Sequence, residues 1–405
     1  MRSSLFAFAT DFSDEGVDVA LGRIQDRAGV QGVSLAAVYH HGRDIFPHSP
    51  TRRVRFLEGG AAFFQSDPSR YAEHALRPRQ SALAEDFDAV AELRKATAAR
   101  GMDLHAWTVL AHNTRLASEE PDTAVENVYG DPQLTYLCPA NPRVVAYASG
   151  LAGDLARYGV DTLLAESLHF HPFEHGYHHE RYLIDIGPID RFLLGLCFCA
   201  HCRAAGRSEG VDVDALTVGV RARLDALFES AAAYDPTPAT FDVVHELWGG
   251  ELGGYLRARE RSVTTAAAAV VDALDGTGTR FAFMDQAGAI KGYADGVPTG
   301  GPAPETSWEI GVNSSELGAI CDEFQLLAYA KDPGRTARDI AAYRESVGST
   351  CRLRAAFRPI PPDCIDADNL RTKLDAADAG GVAYADLYHY GFARLETLDL
   401  ISAAR

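Results

Sequence analysis

Three cysteines fall within six residues, in the segment Cys197-Phe198-Cys199-Ala200-His201-Cys202. Thiols at this spacing are awkward to join as a disulfide, but a tight turn can aim all three at one metal ion. Tetrahedral zinc then needs a fourth ligand, for which Cys138 is the best candidate. We therefore predict a structural site for zinc or a similar soft metal; the alternative is a set of structural cysteines, reduced or disulfide-bonded. The remaining cysteines are scattered, as ordinary buried thiols are: Cys321, Cys351 and Cys364.

A single glutamate, Glu166, directly follows the apolar run 162–165. A carboxyl group at the end of a buried strand is partly shielded from water, which raises its pKa and lets it donate a proton to a leaving oxygen. We predict Glu166 as a catalytic acid, with Asp285 or Asp386 as its partner. The alternatives are a helix cap or an ion pair for Glu166, and a buried structural carboxylate for Asp386.

The segment 169–180 contains five histidines, interleaved with Phe170, Phe173 and Tyr177. Aromatic rings and imidazoles together suit a sugar, whose faces are apolar and whose hydroxyls need hydrogen-bond partners. A structural loop and a second, catalytic metal site are alternatives, since His-x-His is a ligand pattern for zinc. Pro172 and Gly176 place the segment in a loop.

Polar side chains end nearly every apolar run, which predicts a pocket for a polar substrate at one rim of the fold. Candidate substrate-binding residues at these ends are Asp11, His40, His112, Asn113, His169, His171, Arg358, Tyr388 and His389.

Eight strand-like runs alternate with helical patterns along the chain. The predicted strands are Leu5–Asp11, Val33–Tyr39, Asp103–Ala111, Asp161–Ser167, Arg280–Asp285, Glu323–Tyr329, Arg352–Arg358 and Val382–His389. The predicted helices include Val17–Arg27, Ala82–Arg100, Pro142–Tyr158, Thr336–Val347, Ala367–Ala379 and Ala393–Ala404. The strands are continuously apolar, as strands buried on both faces are.

This pattern predicts an α/β fold, a (β/α)8 TIM barrel formed by residues 1–405 as a single domain. A long insertion after strand four, residues 168–275, carries the histidine-rich loop, the cysteine cluster and several helices. The alternative is an open doubly wound sheet, but no strand is followed by a glycine-rich phosphate loop.

Composition excludes several classes of partner. The 405 residues carry a formal net charge of −18 and no basic run, which argues against nucleic acid. No apolar stretch approaches the roughly 20 residues that span a bilayer. The apolar start of the chain is too short for a signal peptide, and together with the thiols it favours a cytoplasmic protein. The sequence is compatible with a homo-oligomer.

The order of these features resembles the zinc-cluster β-galactosidases, glycoside hydrolase family 42 of clan A. The matching residues are Cys138, Pro139 and Pro142, the strand that ends in Glu166, and the triplet Cys197-x-Cys199-x-x-Cys202, whereas Ala140-Asn141 differs from the family in order. The resemblance implies a retaining glycosidase barrel in which the four cysteines bind zinc and Glu166 is the acid/base. The chain departs from the family in two further places. Ala165 stands where the clan has Asn, and strand seven, Arg352–Arg358, lacks the nucleophilic Glu.

We therefore expect a glycoside hydrolase-like enzyme for a small carbohydrate or glycoside. One alternative is a lyase or isomerase of a keto-sugar, in which His40, His112 or His389 moves a proton. Another is a sugar-binding barrel without catalysis, which the missing strand-seven glutamate permits.

Overall fold

Eight parallel strands form a closed barrel in the computed structural model, which describes residues 1–72, 75–177, 179, 181–290 and 301–405. The strands are β1 (Arg2–Phe8), β2 (Gly32–Tyr39), β3 (Asp103–Val109), β4 (Thr162–Glu166), β5 (Arg280–Asp285), β6 (Glu323–Leu327), β7 (Arg352–Phe357) and β8 (Val382–Leu387). Each strand pairs with its neighbours in the chain, and β1 pairs with both β2 and β8. The predicted (β/α)8 barrel is confirmed, and the open sheet is excluded because no barrel edge is left unpaired among the described strands.

Helices surround the barrel and fill its connections. They are α1 (Ala9–Glu15), α2 (Val17–Gly22), α3 (Leu83–Asp86), α4 (Ala89–Ala99), α5 (Thr114–Glu119), α6 (Pro142–Ala156), α7 (Pro188–Leu194), α8 (Ala200–Ser208), α9 (Val213–Glu229), α10 (Phe241–His245), α11 (Glu251–Leu274), α12 (Ala287–Ile290), α13 (Ser314–Gly318), α14 (Pro333–Val347), α15 (Ala367–Ala379) and α16 (Leu395–Ala403). None of these described helices is long and apolar enough to cross a lipid bilayer.

The first strand and the helix after β2 differ from the prediction. β1 ends at Phe8, and Ala9 begins α1, so Asp11 lies in a helix rather than at a strand end. The Asp11 carboxylate accepts the backbone N–H of Phe8 at 2.8 Å, which satisfies an N–H group at the start of the helix. The predicted helix Ala82–Arg100 is two helices, α3 and α4, and the Asp88 carboxylate between them caps α4 by accepting the N–H of Ala91.

Three connections carry elements beyond the regular alternation of strand and helix. The β2–β3 connection contains a hairpin of Gly42–Ile45 and Val54–Leu57, and the β3–β4 connection contains a second hairpin of Ala124–Glu126 and Pro132–Leu137. The β4–β5 connection carries α7 to α11, of which α11 packs on α6 in the outer helical layer. All three follow the carboxyl ends of their strands.

A buried ion cluster occupies the barrel interior. The Arg354 guanidinium of β7 donates two hydrogen bonds to Asp386 of β8, at 2.6 and 2.9 Å, and one to Glu323 of β6, at 2.7 Å. Gln325 and Ser4 also donate to Asp386. Arg354 and Asp386 are both 0% exposed, so every charge in the cluster depends on its partners.

We expect Arg354→Met to lower the free energy of unfolding by about 3–5 kcal/mol, because the buried Asp386 carboxylate loses its cation, whereas Glu323 still pairs with Arg280 and Arg352. Urea denaturation would measure the change. The matched control is Arg27→Met, which removes an exposed two-hydrogen-bond pair with Asp399 and should cost less than about 1 kcal/mol. Equal effects of the two substitutions would contradict the structural role of the interior cluster.

Candidate functional site

A cavity of about 1590 Å³ opens at the carboxyl ends of the strands. Its floor contains residues of the barrel, among them Phe6, Trp107, Glu166, Tyr329 and Tyr388. Its walls come from the first hairpin, from the connection after β4 and from the segment after β5, including His41, Asp44, His171, His175, Arg191, Phe192, Phe241, Arg259 and Trp308. Many lining groups are aromatic or imidazole, and carboxylates and guanidinium groups lie among them, as in pockets for polar organic ligands.

Glu166 lies in the floor of this cavity with 7% of its surface exposed. It is the last residue of β4, and its neighbours come from the two adjacent strands. Trp107 of β3 donates its indole N–H to one carboxylate oxygen, and Gln286, just after β5, donates its amide to the other at 3.0 Å. Burial raises the pKa of Glu166 to about 7, although both hydrogen bonds oppose the shift. The group can therefore hold or release a proton near neutral pH.

The backbone and side chain of Ser167 support this arrangement. Ser167 has a φ of 57°, a left-handed conformation that is uncommon for a residue with a side chain. Its hydroxyl donates to the Gln286 amide oxygen at 2.9 Å. The amide oxygen is thereby occupied, and the amide N–H group turns toward Glu166.

Stacked imidazoles form one side of the cavity. The His40 ring stacks on His112 with a centroid distance of 4.5 Å, and the His171 ring stacks on Tyr136 at 3.9 Å and on His175 at 5.1 Å. Burial, with repulsion from neighbouring imidazoles, lowers the pKa of His40 to about 4 and those of His112 and His171 well below 6.5. At neutral pH the rings are uncharged, and each can offer one hydrogen-bond donor and one acceptor.

Two predicted catalytic residues have their carboxylates occupied by other side chains. Asp285 accepts hydrogen bonds from Ser307 at 2.5 Å, from Tyr343 at 2.8 Å and from the Ala287 N–H at 2.8 Å. Side chains alternate along β5, so Met284 lines the cavity while Asp285 points toward α14. Asp386 belongs to the interior cluster of Arg354. Neither joins Glu166 in the cavity lining, in which the other carboxylates of described residues are Asp44, Glu174, Asp242, Glu305 and Glu309.

The predicted substrate-binding residues divide into two groups. Those that line the cavity are His40, His112, His171 and Tyr388. The side chains of three others are engaged by residues close to them in the sequence. Asn113 caps α5 through the Leu116 N–H, His389 accepts the Gly391 N–H, and Arg358 pairs with Asp363.

Two further predictions concern the histidine-rich loop and Asp11. The His169 ring is hydrogen-bonded to the Phe170 carbonyl oxygen, and the Asp11 carboxylate accepts the N–H of Phe8. Neither residue lines the cavity. His178 and Glu180 of the loop lie outside the described residues.

Sequence reasoning missed Trp107, Tyr136 and Arg259. Trp107 lies two residues before the end of β3, and only the alternation of side chains along the strand places its ring toward Glu166. Tyr136 belongs to a hairpin that the prediction did not include, and its hydroxyl is hydrogen-bonded to His175. Arg259 lies in the middle of α11, where nothing in the neighbouring sequence marks a cavity residue.

The four predicted metal ligands come together beside the cavity. Cys138, Cys197, Cys199 and Cys202 are buried free thiols, with sulfur atoms all within 4.8 Å of one another. The sulfur of Cys138 lies 3.5, 3.6 and 3.8 Å from those of Cys202, Cys199 and Cys197. A tetrahedral ion with metal–sulfur bonds of about 2.3 Å requires sulfur–sulfur separations of about 3.8 Å. The cluster therefore fits a metal ion of that size.

Backbone groups orient this cluster. The Glu126 N–H donates to the Cys197 sulfur at 3.4 Å. The Tyr255 hydroxyl of α11 donates to the Cys197 carbonyl oxygen at 2.6 Å, and its ring stacks on Phe198. The second hairpin and α11 thus both hold the triplet in place.

No family model and no curated protein matches the chain. Solved structures match its fold. An α-L-fucosidase isoenzyme 2 from Paenibacillus thiaminolyticus is 13% identical with a TM-score of 0.54, over 100% of this chain and 49% of that one. A β-galactosidase from the psychrophilic Marinomonas ef1 is 13% identical with a TM-score of 0.53, over 96% and 54%. The catalytic domain of a β-amylase from Paenibacillus polymyxa is 10% identical with a TM-score of 0.54, over 100% and 98%.

The present chain spans about half the length of the fucosidase and of the β-galactosidase. At these identities the likeness shows the barrel fold that the three proteins share with this chain.

We expect the purified protein to contain about one metal ion per chain, and Cys199→Ser to lower both the metal content and the melting temperature. Elemental analysis and thermal unfolding would measure these effects. Cys321→Ser is the matched control, because Cys199 and Cys321 are both 6% exposed and Cys321 lies outside the cluster. A wild-type protein without metal, or equal metal loss in both variants, would contradict the assignment.

We expect the free energy of unfolding to depend on pH because the stacked imidazoles beside the cavity are buried in their neutral form. The pKa of His40 is about 4 in the folded protein and 6.5 in the unfolded chain, so the unfolded chain binds more protons between these values. The stabilisation is complete above about pH 6.5 and is lost as pH falls toward 4. His40→Phe, which preserves stacking, should therefore become progressively more stable relative to wild type as pH falls through this window. Unfolding free energies of the two proteins that change in parallel with pH would contradict the lowered pKa of His40.

Proposed function

We propose that this protein is a glycoside hydrolase-like enzyme in which Glu166 is the general acid. The observation that carries the proposal is a glutamate in the floor of a large cavity, bound by Trp107 and Gln286, whose pKa is raised by burial to about 7. A carboxyl group in this state resembles the acids that protonate leaving oxygens in glycoside hydrolysis.

The chemical step begins with protonated Glu166 near the oxygen that joins the sugar to its leaving group. The carboxyl proton passes to that oxygen as the bond between it and the anomeric carbon breaks, and the pair of bonding electrons leaves with the oxygen. Water then adds to the anomeric carbon and loses a proton, and Glu166 regains one for the next cycle. Trp107 and Gln286 would stabilise the carboxylate that exists between these steps.

The cavity wall supplies groups that suit a hydroxyl-rich ligand. Neutral His40, His112 and His171 can donate to some hydroxyls and accept from others. Tyr388 and Tyr329 add phenol groups and apolar ring faces. The three similar solved structures are named for enzymes that act on glycosides, which agrees with a sugar as the substrate class, although their likeness extends to the fold alone.

The proposed chemistry differs from that of a retaining barrel with two glutamates. Strand β7 ends in Phe357, and Arg358 beyond it pairs with Asp363. We do not assign the second carboxylate to Asp285 or Asp386, because their oxygens bind Ser307, Tyr343 and Arg354. The resemblance to the zinc-cluster β-galactosidases therefore extends to Glu166 and the cysteine cluster.

We further propose zinc as the metal of the four-cysteine cluster. Four thiolates complete a tetrahedral shell and leave no position for water or substrate, so the role of the ion is structural. It would hold the second hairpin, through Cys138, against the triplet that begins α8.

A second candidate function is a lyase or isomerase of a keto-sugar. The observation that favours it is the set of buried, neutral imidazoles in the cavity, since His40 or His112 could accept a proton from the carbon beside a carbonyl group. Exchange of substrate hydrogen with deuterated water, without cleavage of aryl glycosides, would favour this candidate over hydrolysis.

We expect Glu166→Gln to lower turnover of glycosides with poor leaving groups by about 10²–10⁴, because the amide cannot transfer the proton. The effect should shrink for nitrophenyl glycosides, whose leaving group needs little protonation. In the wild type, kcat should fall as pH rises above about 7, where Glu166 loses its proton. The variant should not show this fall in kcat. A panel of alkyl and nitrophenyl glycosides assayed across pH would measure all three effects.

Glu260→Gln is the matched control. Burial and the neighbouring Glu316 also raise the pKa of Glu260 to about 7, but Glu260 lies on α11 outside the cavity lining. The control should keep the wild-type rates and pH profile. If Glu166→Gln retains full activity on alkyl glycosides, Glu166 is not the acid; if the wild type binds sugars but turns none over, the barrel is a sugar-binding protein.

A further inference from the structure

Arg259 is a buried cation that has no acidic partner among the described residues. It lies on α11 with 3% of its surface exposed. Within the part of the chain that the structure describes, no carboxylate pairs with it, and its Nε atom has no hydrogen-bond partner. One guanidinium nitrogen donates to the backbone oxygen of Glu309 at 3.3 Å. A single carbonyl oxygen does not compensate a full buried charge.

Two aromatic rings cover part of the guanidinium. Its central carbon lies 4.5 Å from the centre of the Phe170 ring and 6.0 Å from that of Phe192. Cation–π contacts compensate only part of the hydration that a guanidinium loses on burial. The rings fix the position of the group, but a negative charge is needed to balance it.

The cysteine cluster has the opposite charge imbalance. A divalent ion and four thiolates together carry two net negative charges, and these charges would be buried. Arg203 follows Cys202 directly in the chain, but it is partly exposed and pairs with Asp214. The cluster therefore needs a cation from another element.

Helix α11 packs on α8, the helix that begins within the cysteine triplet, and so carries Arg259 past the cluster. Tyr255 lies one turn before Arg259, on the same face of the helix, and its hydroxyl donates to the Cys197 carbonyl oxygen at 2.6 Å. The electrostatic effects on the pKa of Arg259 agree with this placement, since burial lowers it while Cys202, Tyr255, Cys197 and Cys138 raise it. The Arg259 side chain also lines the cavity.

We propose that Arg259 is the charge-balancing cation of the metal–thiolate cluster and that it links this cluster to the wall of the cavity. Arg259 is a positioning residue: it stabilises the metal-bound form by its charge and holds Phe170, Phe192 and the Glu309 backbone in place. Loss of the metal leaves the cation uncompensated, and the wall loosens. The proposal rests on the metal site and is independent of whether the cavity hydrolyses glycosides.

The test compares metal release from purified, metal-loaded variants. Zinc is transferred to a chromogenic chelator in competition, which gives both the release rate and the dissociation constant. We expect Arg259→Met to weaken metal binding by about 10–100-fold, the usual effect of removing a partner of the ligands. Arg259→Lys keeps the charge and should recover most of the affinity. Arg261→Met is the matched control, since Arg261 lies on the same helix with its side chain 66% exposed.

A second variant keeps the test decisive if Arg259→Met does not fold. Arg259→Gln can still donate to the Glu309 carbonyl oxygen but carries no charge, so it should release metal as fast as the methionine variant. Near-ultraviolet circular dichroism reports on Phe192 and Trp308 of the wall and on Phe170, which packs on Arg259. Metal removal from the wild type and the Arg259→Gln substitution should change this spectrum in the same way. Wild-type metal affinity in Arg259→Gln overturns the proposal.

Discussion

The rest of the structure depends on a guanidinium buried at the centre of the barrel. Arg354 of β7 binds Glu323 of β6 and Asp386 of β8, and the Ser4 hydroxyl of β1 also donates a hydrogen bond to Asp386. Four consecutive strands of the closed barrel thus share one hydrogen-bonded charge cluster. Because such a cluster tolerates little displacement, it fixes the relative height of these strands and hence the rim on which the cavity is built.

The same barrel gives two carboxylates opposite properties. Asp386 is ion-paired in the interior and is committed to holding strands together. Glu166 lies at the rim, where it receives hydrogen bonds from Trp107 and Gln286 and pairs with no cation among the described residues, and burial raises its pKa to about 7. The difference lies in the partners rather than in the residue type, which is the usual way in which one fold separates structural from reactive acids. The neutral imidazoles nearby add polar groups to the cavity without adding charge.

Most of the barrel could be predicted because its strands are continuously apolar; the run Arg280–Asp285 is the same in sequence and structure. The end of β1 could not, because the helix that starts at Ala9 continues an apolar run and is revealed by the Asp11 hydrogen bond to Phe8. The placement of Glu166 and of the cysteine triplet followed from local spacing.

The partners of these groups were less accessible to sequence reasoning. Asp285 and Asp386 follow apolar residues as Glu166 does, and only the alternation of side chains and their distant partners, Tyr343 and Arg354, separate them from it. Arg259 interacts across 50 residues with Glu309 and has no local signal at all.

The cysteine cluster also has a consequence for the order in which the molecule assembles. Cys138 and Cys202 are separated by 64 positions in the chain, and bringing such ends together costs about 4 kcal/mol of loop entropy. The chain between them contains α6 and β4, so pairing of β4 with β3 and β5 already brings the two ends of this loop together. Closure of the barrel therefore precedes formation of the cluster, and the thiols meet on a framework that the strands have already built.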